Sequence, residues 1–276
     1  MPFLLAHLPN KSRNNIKSLL AHHQVSLANQ VVSRFDQPLQ IGQEVVISWT
    51  RPEEQPQGLK ILFEDQDLII IDKQAGMLSI ATAKERELTA YSILSEHVKK
   101  RNPKHRIFVV HRLDRETSGV MMFAKSEKIK LMLQNSWKDV VLERSYVVVA
   151  EGKVSKDQGS VTSWLKEAKS LIMYSSRTPN DGQKAVTHYR VLKRNEKFSL
   201  LEVNLETGRK NQIRVHMQDL GHSIIGDKKY GSTKDPINRL GLHARVLAFR
   251  HPVTNEELRF ESEIPVEFLR LFNERK

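Results

Sequence analysis

The sequence predicts an α+β fold in two parts. Short strand-like runs outnumber helical ones and do not alternate with helices in the regular βαβ manner. Early in the chain, Arg51-Pro52-Glu53-Glu54-Gln55-Pro56-Gln57-Gly58 combines two prolines and a glycine with no apolar residue. It reads as a linker, 52–58, between a small α/β unit, 1–51, and a main domain, 59–276.

Within the small unit, Ser12 suits the cap of a helix starting at Arg13, with Ile16, Leu19 and Leu20 at helical spacing. Val25-Ser26-Leu27 and Val31-Val32 flank Asn29 as the arms of a hairpin, and 41–47 reads as a turn followed by a strand. After the linker, 61–64 and 68–73 are β-branched runs separated by Asp65-Gln66-Asp67. A helix is expected over 89–100, with Tyr91, Leu94 and Val98 on one face. Strands are expected at 107–110, 120–123, 145–150, 185–192 and 199–206, and a helix over 129–137. Ile213, His216, Met217 and Leu220 mark a further helix that Gly221 stops.

A net charge of +12 and a pI of about 9.8 point to an acidic partner, either a nucleic acid or an anionic membrane. The longest apolar run is about five residues, where a bilayer span needs about 20. No basic-then-apolar leader opens the chain. RNA or DNA is therefore the expected partner, with no membrane role and a cytoplasmic location. With no cysteine, disulfides, thiol catalysis and Cys-based zinc sites are excluded. The 11 histidines form no HExxH and no carboxylate-histidine cluster, so no metal site is expected.

The segment His111-Arg112-Leu113-Asp114-Arg115-Glu116-Thr117-Ser118-Gly119 joins two apolar runs and sets one carboxylate between two arginines. Guanidinium groups nearby favour the charged form of a carboxylate. Apart from Leu113 the segment is polar or small, which predicts a turn outside the core. Four further segments carry chemistry or order: Asp72-Lys73-Gln74-Ala75-Gly76 after a strand; Glu143-Arg144-Ser145-Tyr146; Gly208-Arg209-Lys210-Asn211-Gln212-Ile213-Arg214-Val215-His216 continuing to Gly226-Asp227-Lys228-Lys229-Tyr230-Gly231; and Arg239-Leu240-Gly241-Leu242-His243-Ala244, read as half-buried strand.

These segments resemble, in order, motifs of the RluA-type RNA pseudouridine synthases, whose HRLDxxTSG loop matches 111–119. The resemblance implies a pseudouridine synthase catalytic domain with a central mixed, mainly antiparallel sheet flanked by helices. It implies Asp114 as the nucleophile, Tyr146 stacking on the target base with its hydroxyl placed for proton transfer, and Arg214 pairing with Asp114. Arg112 would fill the space that a flipped uridine leaves. His111, Arg115 and Ile213 complete the candidate substrate contacts, the first two also serving as loop supports. Asp72, Gln74 and the pair Lys210-Asn211 depart from the family's usual Asn, Pro and Thr-His.

The small unit resembles the RNA-binding domain of ribosomal protein S-four, with Asn29-Gln30 at the usual Asn-Gly turn and a shortened first helix. It carries five Lys/Arg against Asp36 and Glu44. Isomerising uridine breaks the N1–C1′ bond and rejoins the base through C5, which demands no cofactor, redox step or metal. Attack at C1′, attack at C6 and a glycal route all remain open at this point. The expected substrate is structured RNA, ribosomal first and transfer RNA second, handled by a monomer. A non-catalytic RNA-binding or ribosome-assembly factor is the alternative; a glycosidase would need a second acid, for which Glu116 is the local candidate.

Overall fold

The structure is a computed structural model and describes residues 2–21, 24–27, 30–32, 34–48, 58–81 and 88–273. It divides into two compact units, Met1–Gln55 and Pro56–Lys276.

The first unit contains α1 (Pro2–His7), α2 (Arg13–Ala21), β1 (Val25–Leu27), β2 (Gln30–Val31) and β3 (Val45–Ile47). Ser12 Oγ accepts from the Asn15 amide at 3.2 Å and so caps α2. Ile16, Leu19 and Leu20 turn inward onto Leu4 and Val25, and β1 pairs antiparallel with both β2 and β3. The turn expected at Asn29 and residues 52–57 of the linker lie outside the described residues.

The second unit begins with β4 (Lys60–Glu64), β5 (Leu68–Lys73), α3 (Ala90–Arg101), β6 (Phe108–Val109) and β7 (Ser118–Ala124). There follow α4 (Glu127–Asn135), α5 (Trp137–Val140), β8 (Val141–Glu151), β9 (Gln158–Glu167), β10 (Met173–Ser176), β11 (Gln183–Arg194) and β12 (Phe198–Leu205). The chain ends with α6 (Gln212–Asp219), β13 (Leu242–Arg250), β14 (Glu257–Glu261) and α7 (Val266–Arg270). The strands form one 11-stranded sheet ordered β10-β9-β11-β12-β8-β13-β7-β5-β4, with β14 on β13 and β6 on β7. The β13–β7 pair is parallel and the other pairs are antiparallel. The sheet is thus mixed and mainly antiparallel, the α+β class that the strand pattern predicts.

Helices cover both faces of β5 and β7, which explains why these strands read as unbroken apolar runs rather than alternating ones. Ile69, Ile71, Met121 and Phe123 meet Ala90, Leu94 and Val98 of α3. Their neighbours Ile70, Met122 and Ala124 meet Ile129 and Leu133 of α4 on the other side. Each fully buried Leu, Ile or Phe contributes roughly 1.5–3 kcal/mol of transfer free energy. Further along the sheet, Val148, Ala150 and Leu201 pack under Ile213 and Met217 of α6. Tyr146 touches the clusters under both α3 and α6, so it marks the seam between them.

Several elements differ from expectation for local reasons. Tyr91 is exposed; Ala90, Leu94, His97 and Val98 form the inner face of α3, which Thr89 and Ser92 cap reciprocally. The helix expected over 129–137 breaks at Ser136, which closes α4 and opens α5. In the 111–119 segment, Leu113, Thr117 and Ser118 are buried, and Ser118-Gly119 already belong to β7. Arg112, Arg115 and Glu116 remain exposed around a turn, as expected, while the polar Thr117 and Ser118 bond inside the fold.

Candidate active site

Asp114 lies in the loop between β6 and β7, and backbone contacts fix that loop from below. The Thr117 amide donates to the Asp114 carbonyl at 3.1 Å, closing a tight turn. Ser79 Oγ donates to the Leu113 carbonyl at 2.6 Å and accepts from the Leu113 amide at 3.2 Å. The fully buried Lys73 ammonium donates to the carbonyls of Gln74, Met77 and Arg115 at 3.0, 2.8 and 3.1 Å. Burial pulls its pKa down to about 8, and three carbonyls facing three N–H donors match the ammonium form. The strand-Lys-Gly segment therefore holds up the aspartate's loop. Gln74, where proline is usual, uses its carbonyl for that purpose.

The far end of the loop is fixed by β13. Ser118 Oγ sits 2.8 Å from His243 Nδ1 and accepts from Arg239 Nη2 at 2.6 Å. Gly119 has φ +111°, and a Cβ there would lie 2.0 Å from the Ala244 carbonyl oxygen. Only glycine permits this approach of the two parallel strands.

Arg214 projects from the first turn of α6. Gln212 ties the start of that helix down: its Oε1 accepts from Thr207 Oγ1 and the Arg209 amide, and its Nε2 donates to the Val186 carbonyl and Thr187 Oγ1. At the other end Gly221, at φ +79°, lets the Gly221 and His222 amides return to the Gln218 and Met217 carbonyls. The helix is thus pinned at both ends, and its arginine is aimed.

Two acids share that arginine. Arg214 Nε and Nη2 each donate to Asp227 at 2.7 Å, while Nη1 lies 3.6 Å from Asp114 Oδ2. Burial opposes the charge on Arg214, but the bonds and charge of Asp227, joined by the charge of Asp114, hold its pKa above the usual arginine value. The guanidinium also lies 4.8 Å from the Tyr230 ring centroid. Asn211, one of the departures from the family pattern, adopts φ 54° at the N-cap of α6, a left-handed conformation that asparagine tolerates well. Its Nδ2 donates to Tyr230 Oη at 2.9 Å, and its Oδ1 accepts from Arg214 Nη1 at 3.4 Å. Lys210 pairs instead with Glu167.

Arg112, Asp114, Tyr146, Ile213 and Arg214 line one open cleft of about 430 Å3. Burial pushes the Tyr146 phenol up; the Asp114 charge adds to this and Arg144 opposes it. Among the described residues no group of three His, Cys, Asp or Glu side chains is placed to hold a metal.

A family model described as RNA pseudouridylate synthase matches residues 67–219 of the chain. The chain belongs to that family. The pseudouridylate synthase model spans the Asp114 loop, Tyr146 and Arg214 but stops before Asp227. An RNA pseudouridine synthase of Bacillus subtilis, YjbO, is 36% identical over 228 residues, 80% of each chain. The ribosomal large subunit pseudouridine synthase D of Zymomonas mobilis is 32% identical over 95% of this chain and 88% of its own. Among solved structures, the human RNA pseudouridylate synthase domain containing 4 aligns at a TM-score of 0.63 and 26% identity, over 76% of this chain and 90% of its own.

Two expected substrate contacts do not line this cleft and act as loop supports instead, His111 at the edge of the neighbouring cleft. His111 Nε2 accepts from the Met122 amide at 3.1 Å, and its ring is 5.2 Å from that of Trp137. Burial lowers its pKa to about 4, so the ring is neutral and buttresses the loop. Arg115 lines neither this cleft nor its neighbour, and its carbonyl is the acceptor for Lys73 and Gly76. Asp227 and Tyr230 are the residues that motif reading left without a role. The signal was present in the Gly-Asp-x-x-Tyr-Gly spacing, 13 residues beyond Arg214.

Proposed function

We propose that this chain is an RluA-type RNA pseudouridine synthase that isomerises particular uridines in structured RNA, with Asp114 as the nucleophile. The observation that supports it best is the one cleft where Asp114 stands beside Tyr146 and 3.6 Å from an arginine that Asp227 holds in place. In the reaction the C1′–N1 bond breaks and a C1′–C5 bond forms; C5 gives up a proton and N1 gains one, so no oxidant or reductant enters. A carboxylate that adds covalently divides this difficult exchange into easier steps. Arg214 fixes the carboxylate's rotamer and balances its charge. Tyr146 enters the reaction with its phenol protonated, which suits a ring that supports the uracil face and a hydroxyl that donates or relays a proton.

Ribosomal RNA is the substrate we favour, ahead of transfer RNA, because a ribosomal large subunit synthase is among the relatives matched over nearly the whole chain. The first unit acts as an RNA-binding module of the S-four type, in keeping with its short helices, its hairpin and its basic excess. The exposed Arg112 at the cleft mouth fills the stack vacated by the flipped uridine, an extrusion costing a few kcal/mol. The test is tritium release from C5-labelled RNA isolated from cells lacking the protein. The wild-type chain should release tritium and Asp114→Asn should not; no release from any RNA fraction would refute the enzyme reading.

A further inference from the structure

A second cleft, of about 460 Å3, opens beside the first and shares Arg112, Tyr146, Gly208 and Arg209 with it. Its own wall is built on Trp137 and Arg144. Arg144 stands two residues before Tyr146 on β8, so both side chains project from one face of the sheet. Among the described residues, three guanidinium groups line this cleft and no carboxylate does.

Arg144 is unusual among the arginines of this chain. Its side chain is half-buried, yet among the described residues it forms no ion pair; its partners are the Leu205 carbonyl at 3.3 Å and the Trp137 ring at 5.9 Å. Burial holds its guanidinium below the ordinary arginine range. A cation taken partly out of water without a counter-ion carries a desolvation cost that a bound anion recovers. Gly208 packs against that cation; a Cβ there would lie 2.6 Å from Arg144 Nη1, so the guanidinium would have to shift. A planar fork with free N–H groups, facing an open cleft, fits the two oxygens of a phosphate.

We propose that this second cleft is a phosphodiester subsite, in which Arg144, with Arg209 at its rim, takes a backbone phosphate adjacent to the uridine held over Asp114. The proposal rests on the reading of the first cleft as the uridine site. A uridine there carries a phosphate on either side of its ribose, and the shared wall of Arg112 and Tyr146 sets the second cleft within one nucleotide's reach. The subsite recognises no base, so it adds affinity and register without sequence preference.

The test uses the full chain and unmodified ribosomal RNA transcribed in vitro, with binding measured over a range of salt. Arg144→Gln should weaken Kd about tenfold, as loss of a charge-assisted contact does. It should also flatten the slope of log Kd against log salt by about 0.7–0.9, the contribution of one phosphate. KM should rise in parallel, with kcat falling less than threefold. An unchanged salt slope in folded Arg144→Gln, or lost kcat with unchanged Kd, would overturn the subsite. If Arg144→Gln does not fold, Arg144→Met, which keeps an apolar stem of similar length, decides, and a wild-type Kd and salt slope in that variant overturn it. Asp114→Asn keeps the two ideas apart: it should bind with wild-type Kd and salt slope while releasing no tritium. If the wild-type chain released none either, the synthase reading would fall while the Arg144 result still reported on the phosphate.

Discussion

Asp227 holds Arg214 through two hydrogen bonds of 2.7 Å, whereas Asp114 lies 3.6 Å from the same guanidinium. The stronger grip thus belongs to the acid that does not line the cleft. Asp227 is buried and also caps the turn 228–230 by accepting from the Tyr230 amide. It fixes the arginine and leaves one guanidinium edge facing Asp114. Replacing Asp227 with Asn should leave Arg214 without its main counter-charge, at a cost of about 3 kcal/mol in stability. Turnover should fall at least about 100-fold, with RNA affinity within about threefold of wild type because no phosphate contact is lost. Urea unfolding, tritium release and filter binding read the three effects. Wild-type kcat in Asp227→Asn would show that Arg214 needs no such anchor.

Arg214→Lys separates charge from geometry at the same site. A lysine retains the positive charge near Asp114 but cannot form the two-pronged bond to Asp227. The expected result is loss of most turnover, with RNA affinity close to wild type. Equal loss of turnover and affinity in both Arg214→Lys and Arg214→Ala would make Arg214 a phosphate clamp instead.

Gly119 and Gly76 both have positive φ, at 111° and 85°, but only Gly119 is crowded. Gly119→Ala would drive a methyl into the Ala244 backbone, whereas the space around Gly76 is open. Gly76→Ala should cost about 1 kcal/mol, the backbone penalty alone. Gly119→Ala should cost more than about 4 kcal/mol, in the range of the most severe point substitutions. Thermal melts of the two variants give the comparison, and near-equal melting points would mean the strands can separate at Ala244.

The same contrasts separate what the residue pattern states from what only the folded contacts create. The apolar runs 68–73 and 120–123 announced strands, since strands covered by helices on both faces leave a continuous hydrophobic signature. Strand β9 was missed for the opposite reason: half-exposed, it carries Gly, Ser and Thr between few apolar residues. In the site, the loop at 111–119 was legible as chemistry and as a turn, with Arg112, Arg115 and Glu116 exposed, but the burial of Thr117 and Ser118 was not legible. Polar residues that bond to a buried backbone look the same in sequence as polar residues facing water. Asp227 was visible yet had no role, because its function lies in a contact that only the fold creates. Tyr91 misled in a simpler way, as one residue's shift around α3 moves a side chain from core to solvent.

Acid should unfold this chain through three neutral histidines. Burial lowers the pKa of His111, His216 and His243 to about 4 each. Unfolded histidines take up a proton near pH 6.5. The stability these groups contribute is therefore complete above pH 6.5 and is lost progressively as pH falls toward 4, at up to about 1.4 kcal/mol per pH unit for each. His216 bonds to Ser163 and Thr187 hydroxyls, contacts that glutamine can partly replace. The slope of stability against pH between 6.5 and 5, from urea midpoints, should drop by about one proton in His216→Gln. An unchanged slope would mean that His216 is charged in the folded chain.

Removing residues 1–55 tests the role of the first unit. The second unit has its own apolar clusters, in which Leu94, Phe123, Val148, Leu201 and Phe268 are all contributed by residues beyond the boundary at Gln55. The first unit likewise buries Ile16, Leu19 and Leu20 against its own Leu4 and Val25. Truncation should therefore leave the melting temperature of the remaining chain within a few degrees of the full-length value. RNA affinity should fall at least about tenfold at moderate salt, with a shallower salt dependence, because Lys11, Arg13 and Lys17 go with the deletion. Turnover on a short RNA at saturating concentration should survive, since Asp114, Tyr146, Arg214 and Asp227 all remain. Full affinity in the truncated chain would remove the first unit from RNA recognition. Lost turnover in a folded truncated chain would assign that unit a part in the catalytic step.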